Sequence, residues 1–301
     1  MVTSAVPKAA LDVGSNTIRL LVALVSGADL IPIEDVSEFV RLGKGVDASG
    51  RLQEERMAAA IDAIQRLLAR ATALGAEEVI AIATSAVRDA SNRDEFLHRV
   101  YQATGLRIRI LSGDEEARLT YLGATLGVEI EDGAVICDLG GGSAELIFAT
   151  AAGMQWARSL QFGSGRLTEQ LVHHDPPEPA ELEGVRRYVY ELLQELPPAE
   201  ASTTILTGGT ASHIAFLLAQ DGDRIQLERS DLERVVSVVG SESAERLVEE
   251  YAVRRERAEV LPAGVAAIAA VVEFYDTEHI TITRRGIREG AIVDSVRQAA
   301  S

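Results

Sequence analysis

The chain has 301 residues, 47% of them hydrophobic, with a formal net charge of −17 and one cysteine, Cys137. That is enough apolar material for one large or two ordinary domains, and it excludes wholesale disorder. The negative balance excludes general nucleic-acid or anionic-membrane binding, since both need a positive field; an anion held locally is still allowed. The N-terminus "MVTSAVPKAALDVG" reaches Asp12 before a leader-type apolar core can build. "LDVGSNTIRLLVA" (Leu11 to Ala23) then reads strand, tight turn, strand, a hairpin with an acid at the entrance of its turn. "LQEERMAAAIDAIQRLLARATALG" is a helix whose end is marked by Gly75. "EVIAIATSA" is a strand, "NRDEFLHRVYQATG" a helix, "LRIRIL" a strand, and "GDEEARLTYLGATLG" opens a helix.

A second hairpin follows in "CDLGGGSAELIFA" (Cys137 to Ala149). At a constant offset of 126, Asp12 meets Asp138, Gly14 meets Gly140, Thr17 meets Ser143, Leu20 meets Leu146 and Ala23 meets Ala149. Two such copies imply a duplicated half-molecule, with two lobes facing each other. Helices are expected at Gly165 to Val172, Ala180 to Glu195, "TASHIAFLLA", Asp231 to Val239, Ala244 to Tyr251, Arg257 to Phe274 and "GIREGAIVDSVRQ". "TTILTGG" and "HITIT" are strands. Strands alternate with helices, so the class is α/β. The boundary is expected near Tyr121, giving domains 1–120 and 121–301. The apolar parts of Ala201 to Gln220 and of Leu261 to Val272 are too short to span a bilayer. Cys137 excludes an intrachain disulfide and fits a reducing cytoplasm; its apolar neighbours make it a small buried residue rather than a reactive thiol.

Four Gly/Ser/Thr stretches can bring backbone N–H groups close to phosphate oxygens. They are Gly14-Ser15-Asn16-Thr17, Gly140-Gly141-Gly142-Ser143, the strand-to-helix junction Gly208-Gly209-Thr210, and "ATSAVRD" with Thr84, Ser85 and Arg88. A helix N-terminus adds partial positive charge at the third. Arg88 carries a planar fork suited to two phosphate oxygens. Asp12 and Asp138 would repel phosphate unless a divalent cation lay between, and Mg²⁺ uses one or two carboxylates plus phosphate and water. Glu145 has two readings, a solvated strand position or an acid orienting metal-bound water. In "LSGDEEARL", Ser112 and Glu115 have capping-box spacing, worth roughly 0.5–2 kcal/mol for the cap residue. Glu116 has no capping duty. It is either a solvated first-turn acid or a general base. "VHHDPP" (Val172 to Pro177) reads as a surface loop rather than a metal site. Arg254, Arg255, Arg257, Arg284, Arg285 and Arg288 are candidates for a basic surface that meets long polyanions, and otherwise ordinary solvated charges.

Six stretches in order, "ALDVGSNTIRLLVA", "ATSAVRDASNRDEFL", "LSGDEEARLTYLG", "CDLGGGSAELIF", "LTGGTASHIAFL" and "GIREG", resemble the exopolyphosphatase/guanosine pentaphosphate phosphohydrolase (Ppx/GppA) family of the actin-like ATPase superfamily. The resemblance implies two actin-like, ribonuclease H-like lobes with the active site in the cleft between them. It implies release of terminal phosphate from a phosphoanhydride chain, with Mg²⁺ as cofactor, Mn²⁺ as an alternative and monovalent-cation stimulation as an option. It matches Glu116 to the base, Arg88 to the essential arginine, Asp138 and Glu145 to the metal and water-orienting acids, and the two repeated turns to the phosphate loops. The implied substrate is polyphosphate or guanosine pentaphosphate, in the cytoplasm, with a homodimer left open. Two departures are noted. Ala144 stands where the family often has Thr, and the additional helical domains of longer members are missing from this sequence. Both point to short chains rather than processive degradation. Three functions are weighed: exopolyphosphatase, guanosine pentaphosphate phosphohydrolase, and an actin-like nucleotide-binding regulator or kinase.

Overall fold

The structure, a computed structural model, describes residues 6–26 and 29–300. The start of the segment read for a leader lies outside the described residues. Two compact units are present. The first runs to Gly127 and also takes the chain from Gly286 onward; the second is Val128–Arg285. This differs from the division into 1–120 and 121–301, chiefly because the closing helix returns to the first unit.

The first unit contains β1 (Lys8–Val13), β2 (Thr17–Ser26), β3 (Asp29–Phe39), α1 (Val46–Ser49), α2 (Glu54–Ala73) and β4 (Val79–Ala83). It continues with α3 (Ser85–Asp89), α4 (Arg93–Thr104), β5 (Arg109–Ile110) and α5 (Gly113–Ala124). The second contains β6 (Ala134–Leu139), β7 (Ala144–Thr150), β8 (Gly153–Leu160), α6 (Ser164–Leu171), α7 (Pro179–Leu193), β9 (Thr203–Thr207) and α8 (Gly208–Leu217). Then come β10 (Arg224–Glu228), α9 (Arg229–Ser241), α10 (Ala244–Tyr251), α11 (Arg255–Ala258), α12 (Leu261–Phe274) and β11 (His279–Thr283). Helix α13 (Ile287–Ala300) closes the chain.

The strand orders are β3-β2-β1-β4-β5 and β10-β11-β9-β6-β7-β8. In both sheets the hairpin is antiparallel and its first strand runs parallel to the strand after the crossover, β1 with β4 and β6 with β9. The duplication read from sequence thus extends through the sheet. It reaches the irregularities too: the register slips between Val22 and Ala23 in one copy and between Phe148 and Ala149 in the other, again 126 apart.

Three strands carried no usable sequence signal. β3 is "DLIPIEDVSEF", an edge strand with acids and Pro32, which sits beside the bulge where a missing N–H costs least. β8 and β10 are also edges, with mixed polar composition. The expected strand "LRIRIL" shrinks to Arg109–Ile110, and "ATSAVRD" yields the short helix α3 directly after β4. The helix expected from Arg257 to Phe274 is two, α11 and α12, the second beginning with Pro262 in its first turn.

The first sheet is covered on both faces. Leu11, Ile18, Leu20 and Ala83 pack with α2 and α4 through Ile64, Leu67 and Phe96. Ala10, Leu21 and Ile82 pack with α5 and α13 through Leu119, Ile287 and Ile292. In the second unit α12 is buried from Leu261 to Val272, so its all-round apolar sequence marks a central core helix.

Helices α5 and α13 meet at backbone distance. A Cβ on Gly290 would lie 1.8 Å from the Leu119 carbonyl oxygen, and one on Gly123 would lie 1.8 Å from that of Gly286. Nearby, Arg118 donates to both carboxylate oxygens of Asp294 at 2.8 and 2.9 Å. Gly290→Ala is therefore expected to destabilise by at least about 2 kcal/mol, an overpacking cost that only backbone movement can relieve. Gly184→Ala on α7, where an added Cβ meets nothing within 4 Å, is expected to be neutral or to stabilise by up to about 1 kcal/mol. Denaturant midpoints of the two variants test this. Equal midpoints would show that the helix crossing is looser than the structure describes.

Candidate active site

In the first unit the turn after β1 is closed by Gly14 N–H donating to the Thr17 carbonyl at 3.1 Å. Ser15, Asn16 and Thr17 are all buried. Ser15 Oγ accepts from Ala86 N–H at 3.2 Å, which ties this turn to the first turn of α3. Thr84 and Ser85 are buried at the same junction. Helix α3 then carries Arg88 outward, where Nη1 donates to the Leu111 carbonyl at 3.1 Å and to Glu116 Oε2 at 2.7 Å.

Glu116 is 6% exposed, so the solvated first-turn acid is excluded. A carboxylate removed from water needs a partner, and Arg88 supplies one. The residues read separately as base and phosphate clamp are one ion pair. The helix start that presents Glu116 is the expected capping box: Ser112 Oγ accepts from Glu115 N–H at 3.2 Å, and Glu115 Oε2 accepts from Ser112 N–H at 2.9 Å. Glu115 also meets Arg109 at 3.0 Å. Glu115 is thus committed to the helix cap, whereas Glu116 takes no part in it.

In the second unit the matching turn is closed by Gly140 N–H donating to the Ser143 carbonyl at 3.0 Å, the same bond as in the first copy. The start of α6 backs this turn: Ser164 N–H donates to the Gly140 carbonyl and Gly165 N–H to that of Gly141, both at 2.9 Å. The sequence reading passed over Ser164, although "FGSGR" carries the same Gly/Ser signal as the assigned turns. Asp138 and Glu145 stand opposite each other in the β6–β7 register. Glu145 is 2% exposed and accepts from Ser159 Oγ at 2.7 Å, so it is no solvated strand position. Gly208 begins α8 with φ 93°, and a Cβ there would fall 2.6 Å from Asp138 Oδ1. The third expected phosphate stretch, Gly208-Gly209-Thr210, thus lies against the Asp138 carboxylate, with Thr210 buried.

No group of three or more His, Cys, Asp or Glu able to hold a metal ion occurs among the described residues. An aspartate among backbone amides and hydroxyls is poor for a metal that demands several protein ligands. It fits Mg²⁺, which leaves most of its coordination to water and phosphate. Asp12, in the first unit, is the repeat counterpart of Asp138 and faces Arg19 in the β1–β2 register.

Some expected roles are corrected. Arg288 is 4% exposed: Nη2 donates to Asp35 Oδ2 at 3.1 Å and Nη1 donates to Asp35 Oδ1. Burial works against its charge, but Glu289 and Asp35 overcome this and hold its pKa above the ordinary arginine value. It is a buried structural cation, not part of a basic surface. Arg257 is buried too, and Arg284 pairs with Asp221 at 2.6 Å. Only Arg254 and Arg255 of that set are exposed without a recorded ion pair among the described residues. His174 is taken by Glu181 at 3.0 Å, consistent with a surface loop, and burial pushes the Cys137 thiol up, consistent with an inert residue.

The family model for the Ppx/GppA phosphatase family matches residues 21–299. The chain belongs to the Ppx/GppA phosphatase family. It is 30% identical over 296 residues to Exopolyphosphatase 1 of Mycobacterium leprae, spanning 94% of this chain and 87% of that protein. It is 27% identical to a guanosine-5'-triphosphate,3'-diphosphate pyrophosphatase of Photobacterium profundum, over 95% of this chain and 58% of the other. The crystal structure of the Aquifex aeolicus Ppx/GppA family member superposes with a TM-score of 0.80 at 25% identity, covering 98% and 99% of the two chains. The α/β fold class of two actin-like units is that of this family.

The Ser112–Glu115 bonds lower the Glu115 pKa, with the Ser112 backbone N–H the largest cause and the Ser112 hydroxyl next. A depressed folded-state pKa gives stability that is present above the ordinary carboxylate value and lost as pH falls through the folded value. Stability of the wild type is expected to decline more steeply on acidification than that of Glu115→Gln, which cannot ionise. Parallel pH–stability curves would show that the box contributes no linkage.

Proposed function

We propose that this Ppx/GppA member hydrolyses the terminal phosphoanhydride of inorganic polyphosphate, favouring short chains, and releases orthophosphate. The observation that carries this reading is the pairing of buried Glu116 with half-buried Arg88, a carboxylate on α5 and a guanidinium on α3 held 2.7 Å apart. A relative named exopolyphosphatase over almost the whole chain supports it.

Arg88 would hold the terminal phosphate through its fork, drawing its charge from Glu116 toward the anion. Glu116 would then accept a proton from the attacking water. The N–H groups of Gly140 to Ser143 and Gly14 to Thr17 would bind phosphate oxygens, and the start of α8 at Gly208 would add its dipole. Glu145, fixed by Ser159, would orient water beside Asp138. Mg²⁺, for which Asp138 of the second unit and Asp12 of the first are the candidate ligands, would supply neutralisation of phosphate charge. Mn²⁺ substitution and monovalent-cation stimulation belong to the same reading, as does action in the cytoplasm; no described helix is long and apolar enough to cross a membrane.

The same chemistry on guanosine pentaphosphate is the second reading, favoured by the named Photobacterium profundum relative. A phosphate-release panel with short and long polyphosphate, guanosine pentaphosphate and ATP separates the two and tests a regulator, which would release none.

Glu116→Gln keeps an acceptor for Arg88 but cannot take a proton, and is expected to lose roughly 10²–10⁴ in rate. Because Glu116 is buried and paired, a stability loss of about 1–3 kcal/mol should accompany it, more than an exposed first-turn acid would show. Glu115→Gln should retain activity. A reversed pattern would assign the base to Glu115.

Asp138→Asn removes the anionic ligand and keeps the shape. Activity is expected to collapse or to require far more Mg²⁺. A Mg²⁺ titration coincident with wild type would place the ion elsewhere.

A further inference from the structure

We propose that the Arg41–Lys44 turn of the first unit is a second anion subsite, taking the phosphate group next along the chain from one held at the Gly14–Thr17 turn; this rests on the phosphoanhydride reading above. The turn rides directly on that phosphate loop. Val40 and Arg41 N–H both donate to the Asn16 carbonyl at 2.9 Å, and Gly43 N–H donates to the Ser15 carbonyl at 2.8 Å. Lys44 N–H donates back to the Arg41 carbonyl at 3.0 Å, closing a turn with a cation at each end.

Its backbone adopts an unusual conformation. Arg41 has φ 51°, in the left-handed region that a long side chain rarely adopts. The other described non-glycine residues with positive φ, Ala219, Ala252 and Asp276, all follow helices, where such a conformation satisfies the last carbonyls. Arg41 follows the edge strand β3 and ends no helix. Strain without a capping duty points to a functional constraint on where the turn sits.

The charge is equally selective. The chain has 29 Lys and Arg, yet only two are lysines, Lys8 and Lys44. Lys8 pairs with Glu78 at 3.9 Å. Lys44 is exposed and has no ion pair among the described residues, in a chain of net charge −17. A lysine is a point charge on a flexible stem with rotatable donors, which suits successive phosphates whose oxygens do not present one fixed plane.

The test uses Lys44→Ala, Lys44→Glu and Lys44→Arg in the full chain with Mg²⁺. Calorimetry measures tripolyphosphate and orthophosphate binding, and turnover is followed on pyrophosphate and longer polyphosphate. Lys44→Ala should weaken tripolyphosphate about five- to tenfold, Lys44→Glu more, and Lys44→Arg should restore binding. The loss should fall on KM rather than kcat and should be smaller for orthophosphate, which has no second phosphate. Wild-type-like tripolyphosphate binding by both Lys44→Ala and Lys44→Glu overturns the subsite, and leaves the hydrolase reading standing if the wild type releases phosphate. Equal weakening for orthophosphate and tripolyphosphate also overturns it, since a second subsite acts only on a second phosphate. If the wild type binds tripolyphosphate but hydrolyses nothing, the hydrolase reading fails and the binding comparison alone judges the subsite. If it binds no tripolyphosphate, the subsite fails as well.

Discussion

A buried carboxylate must be paired, and the first unit is arranged around that requirement. Glu116 is out of water on the first turn of α5, so Arg88 has to be brought to it from a different helix. Arg88 is fixed in turn by the Leu111 carbonyl, one residue before the Ser112 cap. The start of α3 that carries Arg88 is stitched to the first phosphate turn through Ser15 and Ala86. At the other end of α5, Gly123 and Gly290 let α13 press backbone against backbone, and Arg118 clamps Asp294. A general base, the role proposed for Glu116, needs a fixed position more than a strong intrinsic basicity, because proton transfer falls off sharply with misplacement. The capping box, the ion pair and the helix crossing each remove one freedom from Glu116.

The internal repeat explains why the second half of the chemistry looks like the first without copying it. Hairpin, turn-closing bond, parallel neighbour strand and bulge all recur with an offset of 126. What differs is the acid. Asp12 faces Arg19 across its hairpin, whereas Asp138 faces Glu145. One copy places a cation opposite the acid and the other places a second anion there. The copy with two acids has the greater need for a counter-charge, which is the electrostatic argument for the proposal that Mg²⁺ sits at Asp138.

Much of this was legible in the sequence because the signals were local. The hairpins, the capping box and the Gly-marked strand-to-helix junction each follow from a few adjacent residues, and each has the expected geometry. Edge strands were not legible. β3 contains Pro32 and four acids, and its strand character comes only from pairing with β2. Arg288 read as a surface cation because "GIREG" gives no hint that α13 leaves the second unit and buries its arginine beside β2 and β3. Burial of a charge depends on partners far away in sequence, here Asp35. The same limit made Glu116 ambiguous, since only Arg88, 28 residues earlier, decides between a solvated acid and a buried one.

The last step concerns how so acidic a chain attracts a polyanion. Many of its arginines are consumed by its own carboxylates, among them Arg66 by Glu38, Arg99 by Glu54, Arg118 by Asp294, Arg186 by Glu273, Arg284 by Asp221 and Arg288 by Asp35. Such pairs add little stability at the surface, but they cancel the field that would otherwise draw anions to arbitrary places. Attraction is then left to groups outside such pairs. Backbone N–H groups at the two turns carry fixed dipoles, and Lys44 is a cation without a salt bridge among the described residues. Arg88 is different in kind, because its carboxylate partner is the proposed base. Under the proposed mechanism, a phosphate that engaged the guanidinium would compete with the Glu116 carboxylate for the same donors, so the clamp and the base would share one cation.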